Sequence, residues 1–205
     1  KLCRLKIRNS SGRARRLSIT GFVEWVLGEQ RCKNAMHVVT EMDPQTGAVL
    51  ARNPYNSEFP GRVAFFAVSE SQHTATADRT EFLGRNGTPA NPAAMSRAEL
   101  SGRVGPALDP CAAIQTTFEL DDGCDREVVF ILGAASDTAT VRNLIVRFCD
   151  IHAARHALES VWDFWNHTLG AVHVETPDSD VDFLVNGWLP YQILACRIWA
   201  RSGSY

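Results

Sequence analysis

Between residues 1 and about 135, apolar and polar positions alternate in short runs separated by turn chemistry, the pattern of strands with one face buried. Leu5 and Ile7 alternate with Arg4, Lys6 and Arg8. Residues 16 to 27 are too rich in β-branched and aromatic side chains to favour helix, and predict one long strand that ends at Gly28 with a bulge at Gly21. His37-Val38-Val39-Thr40 and Ala48-Val49-Leu50-Ala51 flank Asp43-Pro44-Gln45-Thr46-Gly47, where proline fixes φ early and glycine supplies a positive one. This is the clearest hairpin in the chain. Further strands are predicted over residues 63 to 68, 112 to 120 and 127 to 132, the last two joined through Asp121-Asp122-Gly123. A run of hairpins this long predicts two packed antiparallel sheets.

Glycine and proline punctuate residues 84 to 110, at Gly84, Gly87, Pro89, Pro92, Gly102, Gly105, Pro106 and Pro110. A short helix is expected over residues 92 to 100. Long loops inside a compact domain are usually functional or cover a neighbour, so contact with a substrate or partner is expected here.

After Ser136 the apolar period switches from two to about 3.6. Asp137 is placed to cap a helix carrying Val141, Leu144, Ile145 and Phe148 on one face. A second helix follows, with Ile151, Ala154, Leu158, Val161, Trp162, Trp165 and Leu169 in register and Gly170 as its stop. Val172-His173-Val174 reads as an extended connector. Thr176-Pro177-Asp178 opens a last helix with Val181, Leu184, Trp188, Tyr191, Leu194 and Ile198 on its stripe, and Pro190 predicts a kink there. That stripe has no sequence left to pack against, and the chain begins without Met in strand rhythm. Both features lead us to expect a piece of something longer.

Composition narrows the function classes. The 205 residues are 45% hydrophobic and 21% charged, enough for a sizeable core. A formal charge of −2 leaves no basic field for a phosphate backbone, so nucleic-acid binding is not expected. No apolar run approaches a membrane span, so direct membrane contact is not expected either. The six cysteines are scattered without C-x-x-C spacing, which predicts reduced thiols and a cytoplasmic setting.

Few residues nominate chemistry. His152 and His156 share a helix face, but Ala-Ala-Arg intervenes and no third ligand is evident, so no metal is expected. Asp178, Asp180 and Asp182 resemble paired carboxylates for glycosidic acid-base work, yet capping and the helix dipole already account for acids in a first turn. Gly-x-Ser-x-Gly, a P-loop and a dinucleotide fingerprint are absent. The unusual segment is Ala77-Asp78-Arg79-Thr80-Glu81-Phe82-Leu83-Gly84-Arg85-Asn86-Gly87. Its charges around two apolar residues fit either a buried Asp-Arg network or sugar contact, since arginine's planar fork suits hydroxyls and phosphate.

Four stretches carry a resemblance. They are Arg52-Asn53-Pro54-Tyr55-Asn56-Ser57-Glu58-Phe59 with Gly61-Arg62-Val63-Ala64-Phe65-Phe66, the segment from Asp78 to Gly87, Asp109-Pro110-Cys111-Ala112-Ala113, and the terminal run from Asn186 to Ser202. Together they resemble the phosphorylase-like C-terminal region of bacterial cyclic β-1,2-glucan synthases, relatives of cellobiose and chitobiose phosphorylases. The resemblance covers nearly the whole chain.

It implies a mainly β fold: an antiparallel β-sandwich of galactose-mutarotase-like supersandwich topology, present in part, then an α-helical linker and the first helix of an (α/α)6 barrel. The implied boundaries are 1–135, 136–177 and 178–205. The family's catalytic Asp, which protonates the glycosidic oxygen while phosphate attacks the anomeric carbon, lies further along the barrel, so no catalytic residue is carried over. Inorganic phosphate is implied as co-substrate of the parent enzyme, with no other cofactor. Asp78, Arg79 and Arg85 are the implied substrate-binding candidates, facing the barrel mouth or the partner of a homodimer. β-Glucan oligosaccharide and the rest of the parent chain are the implied partners, and the parent is anchored in the bacterial inner membrane.

Two alternatives stand beside this. A self-contained carbohydrate-binding sandwich would need aromatic surface platforms, whereas Trp162, Trp165 and Trp188 sit on helical core stripes. A mutarotase-type enzyme would need His37 to converge with Glu24 or Glu41.

Overall fold

The structure, a computed structural model, describes residues 1 to 196, so Ile198 lies outside the described residues. It divides into two compact units, Lys1–Ala154 and Arg155–Tyr205. The first unit runs β1 (Leu2–Arg8), β2 (Arg15–Glu24), α1 (Arg31–Asn34), β3 (Val39–Met42), β4 (Val49–Arg52), β5 (Val63–Val68), β6 (Thr74–Asp78), α2 (Arg79–Leu83), β7 (Pro110–Leu120), β8 (Asp125–Ala135) and α3 (Thr138–Phe148). The strands form two antiparallel sheets, one ordered β1-β8-β5-β4-β3 and the other β2-β7-β6. The fold is mainly β and antiparallel, followed by helices, as expected.

Alternation along β5 shows how the layers stack. Ala64, Phe66 and Val68 point into the core between the sheets, where Ala112, Ile114 and Phe118 of β7 meet them. Val63, Phe65 and Ala67 point the other way, against Val141 and Ile145 of α3. Burial on both faces explains why this strand is a continuous apolar run. On the outer face of the smaller sheet, Phe82 and Leu83 of α2 and Leu100 of the following loop cover Ala113.

The β3–β4 hairpin forms where the sequence places it, pairing Met42 with Val49 and Val39 with Arg52. Oδ2 of Asp43 accepts from the Thr46 amide at 3.1 Å and its hydroxyl at 2.6 Å, and Gly47 takes φ 68°. Asp137 caps α3 as predicted, accepting from the Thr140 amide at 2.7 Å.

Three expectations need correction. Asp121-Asp122-Gly123 does not close a hairpin: β7 pairs with β2 and β8 with β1, so the turn carries the chain from one sheet to the other. The link from β1 to β2 crosses beside it, and Asn9 staples the two crossings. Its side-chain amide donates to the Leu120 carbonyl at 2.8 Å, its backbone N–H to Cys124, and its carbonyl accepts from Gly123. Gly21 is not a bulge either, because β2 stays in regular register with β7. A Cβ there would lie 2.6 Å from the Phe130 ring and 2.7 Å from that of Phe66, so packing excludes a side chain. Finally, the helix expected over residues 92 to 100 is a single 3₁₀ turn at Ala93–Ser96, while strand β6 and helix α2 were missed.

Beyond α3 come α4 (Ile151–Leu169), α5 (Ser179–Phe183) and α6 (Leu189–Leu194). A π-helical turn at Leu184–Trp188 joins the last two into one run. Pro190 accounts for it: the ring lacks a donor and crowds the carbonyl four residues back, and the helix widens ahead of it. Within this second unit, Asn186 clasps the connector by accepting from the Val174 amide at 2.8 Å and donating to its carbonyl at 2.7 Å. Asp178 caps α5 through the Asp180 amide. The aromatic residues do not form the expected core stripe. Trp162 and Trp188 are 62% and 52% exposed, and only Trp165, whose ring lies 5.5 Å from that of Tyr191, is half-buried.

Candidate functional site

The Asp78–Gly87 segment sits where β6 ends against β7, and its three candidate residues have three different fates. Asp78 is buried and caps α2, accepting from the Thr80 amide at 2.9 Å and pairing with Arg103 at 2.8 Å. Arg79 is half-exposed, and its Nε donates to Glu24 at 2.5 Å. Arg85 is exposed and makes no ion pair among the described residues.

Arg79 belongs to a closed square of charges. Glu24 ends β2, Asp109 precedes β7, and Arg31 opens α1. Each arginine reaches both carboxylates: Arg79 meets Glu24 and, at 3.5 Å, Asp109, while Arg31 meets Glu24 at 3.2 Å and Asp109 directly. The square is neutral and ties three strand ends and a short helix together. Glu81 does similar work two residues on, accepting from Thr76 at 2.7 Å, from the Ser101 hydroxyl at 2.5 Å and from Arg97 at 3.3 Å. The network reading of this segment therefore describes Asp78 and Arg79, and leaves Arg85 as the arginine with free donors.

His37 and its two possible partners are engaged elsewhere. Its ring lies tilted against that of Tyr55, centroids 4.2 Å apart, Glu24 belongs to the square, and Glu41 pairs with Arg52.

A second site was not singled out in the sequence. A cleft of about 450 Å³ opens at the end of the larger sheet, floored by Ala64 and Ala134. Leu27, Gly28 and Glu29 form one wall, and the residues from Asn53 to Arg62 the other. Two asparagines shape it. Asn53 accepts from the Tyr55 amide and Asn56 from the amides of Glu58 and Phe59, each at 3.0 Å. Both also donate to the Leu27 carbonyl, at 2.8 and 3.1 Å. Leu27 is held there at φ 42°, a left-handed conformation that costs a branched residue energy and persists only when its surroundings enforce it. The signal was Asn-Pro-Tyr-Asn, two turn-forming asparagines three apart.

Residues 1–151 match the glycosyl hydrolase 94 supersandwich domain, and residues 164–205 match the glycosyl hydrolase 94 superfamily catalytic domain. The chain belongs to glycosyl hydrolase family 94. It is 44% identical over 207 residues to the cyclic β-(1,2)-glucan synthase NdvB of Rhizobium meliloti, covering all of this chain and 7% of that protein. It is 27% identical to a cellobionic acid phosphorylase of Neurospora crassa and 24% to an N,N′-diacetylchitobiose phosphorylase of Vibrio proteolyticus, over 92% and 97% of this chain. It spans only about a quarter of either phosphorylase, 24% and 25%. Family membership places the square and the cleft on a supersandwich. No helix among the described residues is long and apolar enough to cross a membrane.

Proposed function

We propose that this chain is the scaffold portion of a family 94 enzyme that acts on β-glucans by glycosyl transfer or phosphorolysis, and that it does no chemistry alone. The observation that carries the reading is the 44% identity to the glucan synthase along the full chain, supersandwich and catalytic-domain matches included. Inorganic phosphate is the co-substrate of the parent reaction, β-glucan oligosaccharide its partner, and the remainder of the parent chain, or of a second copy, the surface that the Asp78–Gly87 segment meets. Arg85, exposed and without an ion-pair partner among the described residues, is the residue with donors to spare for a sugar; Asp78 and Arg79 hold the base from which it projects. All six cysteines are free thiols, which supports a cytoplasmic setting for this portion of a parent anchored in the inner membrane.

The test is glucose 1-phosphate release from β-1,2-glucan and phosphate. A protein carried through the rest of the catalytic domain should turn over, the 205-residue chain should not, and Arg85→Ala in the longer protein should slow it at least tenfold without lowering its thermal midpoint. Turnover by the short chain would overturn the scaffold reading, and a longer protein inert on β-glucans would overturn the substrate.

A further inference from the structure

We infer that the cleft between Leu27 and the Asn53–Arg62 loop is a binding site for a neutral pyranose ring, one glucosyl residue of an oligosaccharide. Its charge pattern selects the ligand class. Glu58 and Arg62 line the same cleft, are exposed, and pair neither with one another nor with any other described residue. Glu29 adds a second carboxylate, held among the described residues by an exposed contact to Lys33 at 3.7 Å. The two carboxylates outnumber the one guanidinium, so an anion is disfavoured. Vicinal hydroxyls, which donate and accept at once, suit both kinds of group.

Between the charged groups stands Phe59, 60% exposed although it is among the most apolar residues of its loop. A ring so placed offers the flat apolar surface that the C–H face of a pyranose covers. The backbone that carries it is held by hydrogen bonds within the loop. Asn56 holds the Phe59 amide, the Phe59 carbonyl accepts from the Arg62 amide at 3.4 Å, and Gly61 supplies φ 73° between them. The Leu27 carbonyl accepts from both asparagines, which ties the two walls of the cleft together. Order in the free state spares the ligand the cost of organising a loop. The choice of glucose over other hexoses rests on the function proposed above.

The experiment titrates the isotope-labelled 205-residue chain with β-1,2-gluco-oligosaccharide, cello-oligosaccharide and malto-oligosaccharide, following amide resonances. Saturable shifts of the Asn53 and Asn56 side-chain amides are expected with at least one probe, strongest with the β-1,2-linked one. Phe59→Ala and Arg62→Ala, both at exposed positions, should each weaken binding tenfold or more. Trp162→Ala, an equally exposed aromatic elsewhere, should leave it unchanged. No binding of any probe, binding unaltered in both cleft variants, or loss confined to the Trp162 variant would each overturn the site. The outcome is separable from that of the turnover test: Phe59-dependent binding beside an inert longer enzyme keeps the cleft and removes the proposed reaction.

Discussion

Arg142 donates from both Nε and Nη2 to Oδ1 of Asp43, at 3.0 and 2.6 Å, pinning the first helix after the strands to a hairpin turn 99 residues earlier. The Asp43 side chain is 1% exposed and that of Arg142 33%. A buried carboxylate stripped of its partner keeps its desolvation cost, whereas a partly exposed arginine returns to water. Arg142→Met should therefore lower the urea midpoint well beyond the effect of an ordinary surface change. Asp43→Ala, which also loses the Thr46 bonds, should cost about 2–3 kcal/mol. Urea unfolding monitored by circular dichroism measures both, and an Asp43→Ala protein of parental stability would show that the pin contributes nothing.

The same carboxylate makes stability depend on pH. Burial alone pushes the Asp43 carboxyl up, but hydrogen bonds from Arg142 and Thr46 outweigh it and hold the pKa below the ordinary value. Glu81 behaves alike: burial raises it, and bonds from Ser101 and Thr76 with the nearby Arg97 charge bring it down overall. A group with a depressed folded-state pKa stabilises the fold above its unfolded value and loses that contribution as pH falls through the folded one. Stability from these two groups should persist down to about pH 4, the ordinary carboxylate range, and decline below it. Midpoints measured over that range should fall less steeply in the Asp43→Asn, Glu81→Gln double variant, and equal slopes would contradict the assignment.

Gly21 leaves no room for a methyl group between the stacked rings of Phe66 and Phe130, whose centroids lie 5.7 Å apart. Gly21→Ala should cost about 1–3 kcal/mol by overpacking. Adding Phe130→Leu should recover part of that loss, so the double variant is less destabilised than the two single changes summed. Additive losses in denaturant titrations would mean the rings move aside freely.

Gly21 also marks how far the sequence can be read. The β3–β4 hairpin was legible because Asp43, Thr46 and Gly47 interact within five residues, and α3 because Asp137 caps it locally. Sheet membership was not, since Asp121-Asp122-Gly123 has the chemistry of a turn whether or not its flanking strands pair. The strands pair into different sheets, and the residue that braces the crossing, Asn9, lies more than a hundred residues away. Strand β6 escaped because Thr-Ala-Thr-Ala carries small residues on both faces, with no apolar contrast to reveal its period. In the candidate segment, charge flanking Phe82 pointed to a network around Arg79, but its partners Glu24, Arg31 and Asp109 come from three other places. Trp162 and Trp188 fell on helical stripes, and helical spacing says which residues share a face, not whether that face is covered.

The thiols differ in burial. Burial, helped by the charges of Asp78 and Asp109, pushes the Cys111 thiol up to about 12, and burial with Asp150 does the same for Cys149. Thiolate is the reactive form, so neither should react near pH 8 in the folded protein. Ellman's reagent followed by mass spectrometry should find Cys3, Cys32, Cys124 and Cys196 modified, all four being exposed. Rapid labelling of Cys111 in the native protein would show that the strand pairing around it opens.

Because each arginine of the square touches both carboxylates, Arg31 and Arg79 are partly redundant. Removing Arg79 leaves Glu24 and Asp109 bridged by Arg31, so Arg79→Ala alone should cost only about 0.5–1 kcal/mol, as for other partly exposed pairs. Arg31→Ala should be similar in kind. Removing both leaves two carboxylates facing each other at the convergence of three strand ends, with repulsion that neither single variant creates. The double variant should therefore lose more than the sum of its parts, and Glu24→Gln on that background should restore some of the loss. Strict additivity would show four independent surface contacts. A coupling of about 1 kcal/mol or more, with each single variant still well folded, would show that either arginine alone keeps the two carboxylates bridged.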